Sequence, residues 1–116
     1  MWIIADEIYH NIINIIKAIQ ARSKNTTIYL LSIVPVNEMG HMQDASKFAR
    51  DRANFDIKML NYYLRNYARK NQLGYVNVAK HLMNDYDQLN TEYTTDGFHL
   101  NDYGNKVYLQ TIKRYV

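Results

Sequence analysis

Ile28-Tyr29-Leu30-Leu31-Ser32-Ile33-Val34 is the segment that most restricts how this chain can fold. A strand with one wet face alternates apolar and polar residues. This run is apolar almost throughout and β-branched at several positions, so both of its faces need cover. Coming after a helical stretch, it reads as a buried strand of a parallel sheet. The polar turn Ser23-Lys24-Asn25-Thr26-Thr27 leads into it, and Pro35, the single proline, stops it because proline donates nothing to a ladder.

The segments on either side fit that frame. Asp6 or Glu7 opens a helix in which Ile8, Ile12, Ile15 and Ile19 recur at four-three-four spacing as a buried stripe. Ile13 and Ile16 widen the stripe, as suits a helix lying on a sheet. A second helix over 47–72 carries Ala53, Ile57, Leu60, Leu64 and Tyr67 on one face, with Asn61 beside them, placed to hydrogen-bond to a neighbouring loop. Gly74 is expected to end it in the left-handed conformation. Tyr75-Val76-Asn77-Val78 reads as a short second strand, and 79–93 as a looser segment with one helical turn around 80–84. Asn101 reads as the N-cap of a last helix over about 102–115, with Val107 and Ile112 turned to the sheet and Gly104 allowing close packing. The order helix, strand, helix, strand, helix describes an α/β chain. Two parallel strands leave both sheet edges unpaired, so residues 1–116 are expected to be a single partial domain with N-terminal strands missing.

Composition narrows the function classes. The chain has no cysteine, which removes disulfides and thiolate metal sites, and no apolar run approaches the length of a membrane span. Met1-Trp2-Ile3-Ile4-Ala5 is too short for a secretory signal and lacks its basic start. The formal charge is +3, but basic and acidic residues intermingle. Lys47, Arg50, Arg52, Lys58, Arg65, Arg69 and Lys70 fall in the second helix as a solvated face. Eleven tyrosines interleave with this charge, yet no recognised nucleic-acid motif accompanies them. His10 reads as an exposed helix residue with nothing at metal spacing; neither metal nor cofactor is expected.

Side chains suited to catalysis converge at Thr94-Thr95-Asp96-Gly97-Phe98-His99. Gly97 lets the backbone turn so that the Asp96 carboxylate folds back onto the His99 imidazole. A carboxylate there fixes the tautomer and stabilises the imidazolium that forms when the ring takes a proton. Such pairs also cap helices or sit idle on surfaces. The loop 36–46, at the carboxyl end of the first strand, carries Asn37 and His41, which are candidates for substrate contact or plain solvated residues.

The stretch Asp96-Gly97-Phe98-His99-Leu100-Asn101 with Gly104 resembles the last block of the SGNH hydrolases, the GDSL esterase/lipase family. Ser32-Ile33-Val34-Pro35-Val36-Asn37, Ile57-Lys58-Met59-Leu60-Asn61 and Tyr75-Val76-Asn77-Val78 extend the resemblance over nearly the whole chain. Pro35-Val36-Asn37-Glu38 and the Asp/His block are most similar to bacterial carbohydrate O-acetylesterase and platelet-activating-factor-acetylhydrolase-like members. The resemblance implies part of a flavodoxin-like three-layer α/β/α sandwich. It also implies that His99 is the base and Asp96 the orienting member of a Ser-His-Asp triad acting on an acyl or acetyl ester, with no cofactor. Phe98 and Asn37 would then line the substrate site. The Gly-Asp-Ser block and the oxyanion-hole Gly and Asn blocks, which lie upstream in the family, are not matched here. Ser23, Ser32 and Ser46 follow no Gly-Asp, and none is assigned as nucleophile. The chain alone is therefore expected to be inactive. Two further readings stand beside this one: a non-catalytic module that pairs with itself or with a separate N-terminal fragment, and a small basic nucleic-acid binder.

Overall fold

In the computed structural model, residues 2–37 and 47–116 are described, the side chains of 2–4 and 47–52 excepted. Glu38, Gly40, His41 and Ser46, and the side chains of Lys47, Arg50 and Arg52, lie outside the described residues. Helix α1 spans Trp2–Arg22, strand β1 Tyr29–Leu31, helix α2 Lys47–Lys70, strand β2 Gly74–Val76 and helix α3 Asp102–Lys113. Single 3₁₀ turns occupy Ala79–His81 and Thr91–Tyr93. The two strands run parallel, with Tyr29 opposite Gly74, Leu30 opposite Tyr75 and Leu31 opposite Val76.

Successive strand side chains point to opposite faces, and the core divides accordingly. Leu30 and Tyr75 face a cluster built from Ile13 and Ile16 of α1 and Leu60, Leu64 and Ala68 of α2. Leu31 and Val76 face the other way, onto Val78, Leu82, Leu89 and the α3 residues Val107, Tyr108 and Ile112. Helices on both faces of a parallel sheet give the expected α/β three-layer arrangement. Each fully buried leucine or valine here contributes roughly 1.5–3 kcal/mol of burial free energy.

The stripe on α1 differs from the expected one. Ala5, Ile13 and Ile16 are buried and Tyr9 and Ile12 pack beside them, whereas Ile8, Ile15 and Ile19 are 41%, 59% and 38% exposed. Ile8, Ile12, Ile13, Ile15, Ile16 and Ile19 spread over nearly half of the helix circumference, so four-three-four spacing marks the flank of the buried face rather than its centre. The helix also starts at Trp2, ahead of the expected acidic opening.

Strand β1 is shorter than its apolar run, because β2 supplies three ladder residues. Beyond them, two asparagines of α2 replace the missing partner. The Asn61 amide accepts from the Ile33 N–H at 2.7 Å and donates to the Ile33 carbonyl at 2.9 Å. Asn54, two helical turns earlier, does the same for Val36, at 2.8 and 2.9 Å. Each amide thus presents the donor and acceptor of a neighbouring strand to one residue. This satisfies backbone groups that would otherwise be buried unpaired.

The end of α2 also departs from expectation. Gln72, with φ 59°, takes the left-handed position, and Gly74 is already in β2. The Leu73 N–H reaches the Ala68 carbonyl at 2.8 Å and the Gln72 N–H the Arg69 carbonyl at 3.4 Å, the paired bonds of a Schellman cap. Gly74 is small because the Tyr29 ring lies on it: a Cβ there would be 2.4 Å from Tyr29 Cδ1.

Candidate functional site

The turn 94–101 is organised by its own side chains. Thr94 is buried, and its hydroxyl lies 2.6 Å from the His99 carbonyl while accepting from the Gly97 N–H at 2.9 Å. Asp96 Oδ1 accepts from the backbone N–H groups of Phe98 and His99, both at 2.8 Å. Gly97, at φ 87°, makes the reversal that non-glycine residues resist. Thr94 and Leu100 bridge across the base of the turn. Asn101 then caps α3: its carbonyl oxygen accepts from the Gly104 N–H at 2.8 Å, and its amide donates to the Glu92 carbonyl at 3.0 Å. Gly104 is enclosed, since a Cβ there would meet the Tyr93 carbonyl oxygen at 2.5 Å. The turn and the helix start are therefore fixed to one another.

Within this frame Asp96 Oδ2 and His99 Nδ1 are 2.5 Å apart. A carboxylate oxygen can only accept, so the proton sits on Nδ1 and the lone pair of the neutral ring on Nε2. Hydrogen bonds from the His99 ring, then from the His99 and Phe98 backbone, hold the Asp96 carboxyl well below the usual carboxylate range. The His99 side chain is 86% exposed, so Nε2 is open to whatever approaches. An imidazole held in this way can accept a proton through Nε2 and return it. Asp96 combines both of the roles its spacing allowed, capping two backbone N–H groups and contacting the ring.

The other residues singled out in the sequence are dispersed. Phe98 is exposed beside the imidazole, with ring centroids 6.3 Å apart. Asn37 is 2% exposed; its side-chain amide donates to the Leu89 carbonyl at 2.7 Å and its backbone N–H to the Gly97 carbonyl at 2.8 Å. It ties the chain leaving β1 to the Asp/His turn from inside, with its side-chain N–H turned to protein rather than to an open cleft. Ser32 is buried, donating to Asn77 Oδ1 at 3.2 Å and accepting from the Ala79 N–H at 2.9 Å. Ser23 is exposed and contacts Thr26. His10 pairs with Asp6 on the surface of α1 at 3.3 Å. Among the described residues no three His, Cys, Asp or Glu side chains converge as a metal site, and no helix is long and apolar enough to cross a membrane. Asn61 makes the expected hydrogen bonds to a neighbouring segment, at Ile33, whereas nothing in the sequence singles out Asn54, or Thr94 as a support of the turn. Threonine two residues before Asp96 was the available signal for Thr94.

With that geometry in place, comparison with known proteins is decisive for ancestry. The model of the GDSL-like Lipase/Acylhydrolase family matches residues 3–107. The chain belongs to this family. Among solved structures it is similar to a Streptococcus pneumoniae protein provisionally described as a platelet activating factor. The identity is 34% and the TM-score 0.82, over 96% of this chain and 51% of that one. A Bacteroides fragilis protein provisionally described as an acylhydrolase shares 23% identity at TM-score 0.74, over 95% of this chain and 50% of its own. A GDSL-like lipase from Bacteroides thetaiotaomicron shares 23% at TM-score 0.72, over 95% and 51%. No curated protein matches the chain significantly. The 23% likenesses bear on the fold alone. This GDSL-family chain spans about half the length of the solved structures it matches.

Proposed function

We propose that this chain carries the proton-transfer half of a GDSL-type ester hydrolase. His99 acts as general base and acid, Asp96 orients it, and the serine nucleophile and oxyanion donors come from polypeptide outside these 116 residues. The observation that carries the reading is the 2.5 Å contact of Asp96 Oδ2 with His99 Nδ1, which leaves Nε2 at the surface. In the complete site the serine hydroxyl attacks the ester carbonyl while Nε2 takes its proton. The imidazolium then returns that proton to the leaving alcohol, and water repeats the sequence on the acyl-enzyme. Short acyl esters, acetyl groups on carbohydrate among them, are the substrates proposed. Phe98, exposed next to the ring, provides apolar contact for the acyl group; Asn37, being enclosed, supports the turn from within.

A base without a nucleophile and oxyanion donors retains little, since one such donor is worth about a hundred- to a thousandfold in rate. The purified chain is expected to show no turnover of an acetyl ester, and turnover by it that disappears in His99→Ala would overturn that. Joined to a family segment supplying Gly-Asp-Ser, it should turn over the ester, and His99→Ala should then cost roughly a thousandfold or more. A joined protein indifferent to His99→Ala would remove His99 from the chemistry.

A second reading is favoured by the exposed Ile8, Ile15 and Ile19 and by β1, which among the described residues pairs with β2 alone. On that reading the chain is an interaction module whose apolar helix face is covered by a second polypeptide, either another copy or an N-terminal family segment.

A further inference from the structure

Outside the Asp96–His99 turn, the molecule holds a cavity of about 440 Å³ between α2 and the segment following β2. That volume lies within the range of small-molecule sites. None of residues 94–101 lines it. Its walls are unusually aromatic for a surface feature. Phe55, Tyr62 and Tyr86 are 53%, 51% and 82% exposed, and all three border it together with the half-buried Tyr75. Large apolar rings left in water at one spot mark a place where something lies against them.

The polar groups of the cavity are not equally available. The amides of Asn54 and Asn61 are spent at both ends on Val36 and Ile33. Asn77 Oδ1 already accepts from Ser32 and from the Lys80 N–H. Lys58 is engaged by Asp87 at 3.6 Å across the rim. Arg65 remains. Among the described residues it has no carboxylate partner, and its charge acts on the Tyr75 phenol, which burial otherwise pushes up. An uncompensated guanidinium next to exposed tyrosine faces selects a particular chemistry: a flat or apolar body against the rings, and an anionic group in the fork of Arg65.

We infer that this cavity is a binding site for a small organic anion, with Arg65 taking the carboxylate or phosphate and Tyr62 and Tyr86 holding the body of the ligand. The site is independent of the ester-hydrolase reading, because it shares no residue with the Asp96–His99 turn.

Benzoate, benzyl alcohol and benzylamine are suitable probes, having one ring and differing in charge. Titrated into the ¹⁵N-labelled chain, benzoate should shift the amides of Tyr62, Arg65 and Tyr86 and bind more tightly than benzyl alcohol, with benzylamine weakest. Arg65→Gln should weaken benzoate about tenfold, as loss of a charge-assisted hydrogen bond does, and leave benzyl alcohol unchanged. Tyr86→Ala, at a position 82% exposed and so harmless to the fold, should weaken benzoate and benzyl alcohol together. Arg65→Lys should retain part of the preference for the anion. The inference is overturned if benzoate binds no better than benzyl alcohol, if Arg65→Gln leaves benzoate binding intact in a chain with unchanged circular dichroism, or if the shifts fall on the Asp96–His99 turn instead.

Discussion

Thr94 is the residue on which the shape of the Asp/His turn most depends. Its hydroxyl has one proton to give, and the His99 carbonyl at 2.6 Å takes it in preference to Asp96 Oδ1 at 3.3 Å. The same oxygen accepts from the Gly97 N–H, so both sides of the left-handed glycine are tied to one side chain. Thr94→Val keeps the volume but leaves a donor and an acceptor without partners. It is expected to lower stability in urea unfolding by about 2 kcal/mol, whereas Thr94→Ser, which keeps the hydroxyl, should cost well under half of that. Asp96 makes a different prediction, in pH. Hydrogen bonds to its ionised form depress its folded pKa, so its contribution is complete above the ordinary carboxylate value near 4 and is lost as the pH falls from there toward the folded value. Wild type and Asp96→Asn should therefore differ in unfolding midpoint at pH 6 and converge toward pH 2. A gap that stays constant over that range would show that the charge of Asp96 contributes nothing.

At the scale of elements, the short sheet is completed by side chains rather than by backbone. Asn61 serves both polar groups of Ile33, just past the last ladder residue, and Asn54 serves Val36. From Val36 the connection continues through the Asn37 N–H to the Gly97 carbonyl, so α2 positions the Asp/His turn through the chain leaving β1. Asn61→Leu removes both partners of Ile33 and is expected to cost about 3 kcal/mol. Native-state hydrogen exchange would resolve the effect: the Ile33 amide should lose its protection while the Leu30 amide, bonded within the ladder, keeps most of its own. Equal loss at both amides would mean that Asn61 supports the core in general.

These asparagines also show where the sequence was legible. A strand within the run 28–34 and the cap at Asn101 announce themselves, because a nearly continuous apolar run and an Asn ahead of a helical pattern each have one local cause. The position of Asn61 beside the stripe announces a bond to a neighbouring segment, but not that an amide stands in for a β-strand or which residue it serves, since the partner backbone is 18 or 28 residues away. The end of α2 differs from the expected one for a related reason. Gly74 is needed for the Tyr29 ring packed on it from another element, while the left-handed turn falls on Gln72, which nothing in its residue type betrays. At the site, the Asp96–His99 pairing followed from spacing. The enclosure of Asn37 did not, because it depends on Leu89 and Gly97 arriving from far along the chain.

For the molecule as a whole, the distribution of isoleucine on α1 carries the remaining consequence. Ile13 and Ile16 are used to join the helix to α2 and β1, and Ile8, Ile15 and Ile19 are left exposed along the flank of that buried face at spacings of seven and four, which align them along one stripe. Three large side chains 38–59% exposed in a row exceed the scattered apolar residues of an ordinary surface. The two-stranded sheet adds an edge at β1 that is not paired among the described residues. Both features act in the same direction, toward association, and the α1 stripe belongs to the helix on the opposite face of the sheet from α3. Sedimentation of the purified chain should therefore show concentration-dependent association. Ile15→Glu should abolish it without loss of helicity, because Ile15, at 59% exposed, contributes little to the core. Asp102→Lys, on the exposed first turn of α3, alters surface charge at the opposite end of the chain and should leave the association unchanged. A wild-type chain that stays monomeric at high concentration, or an Ile15→Glu variant that associates like wild type, would exclude the α1 stripe as the contact.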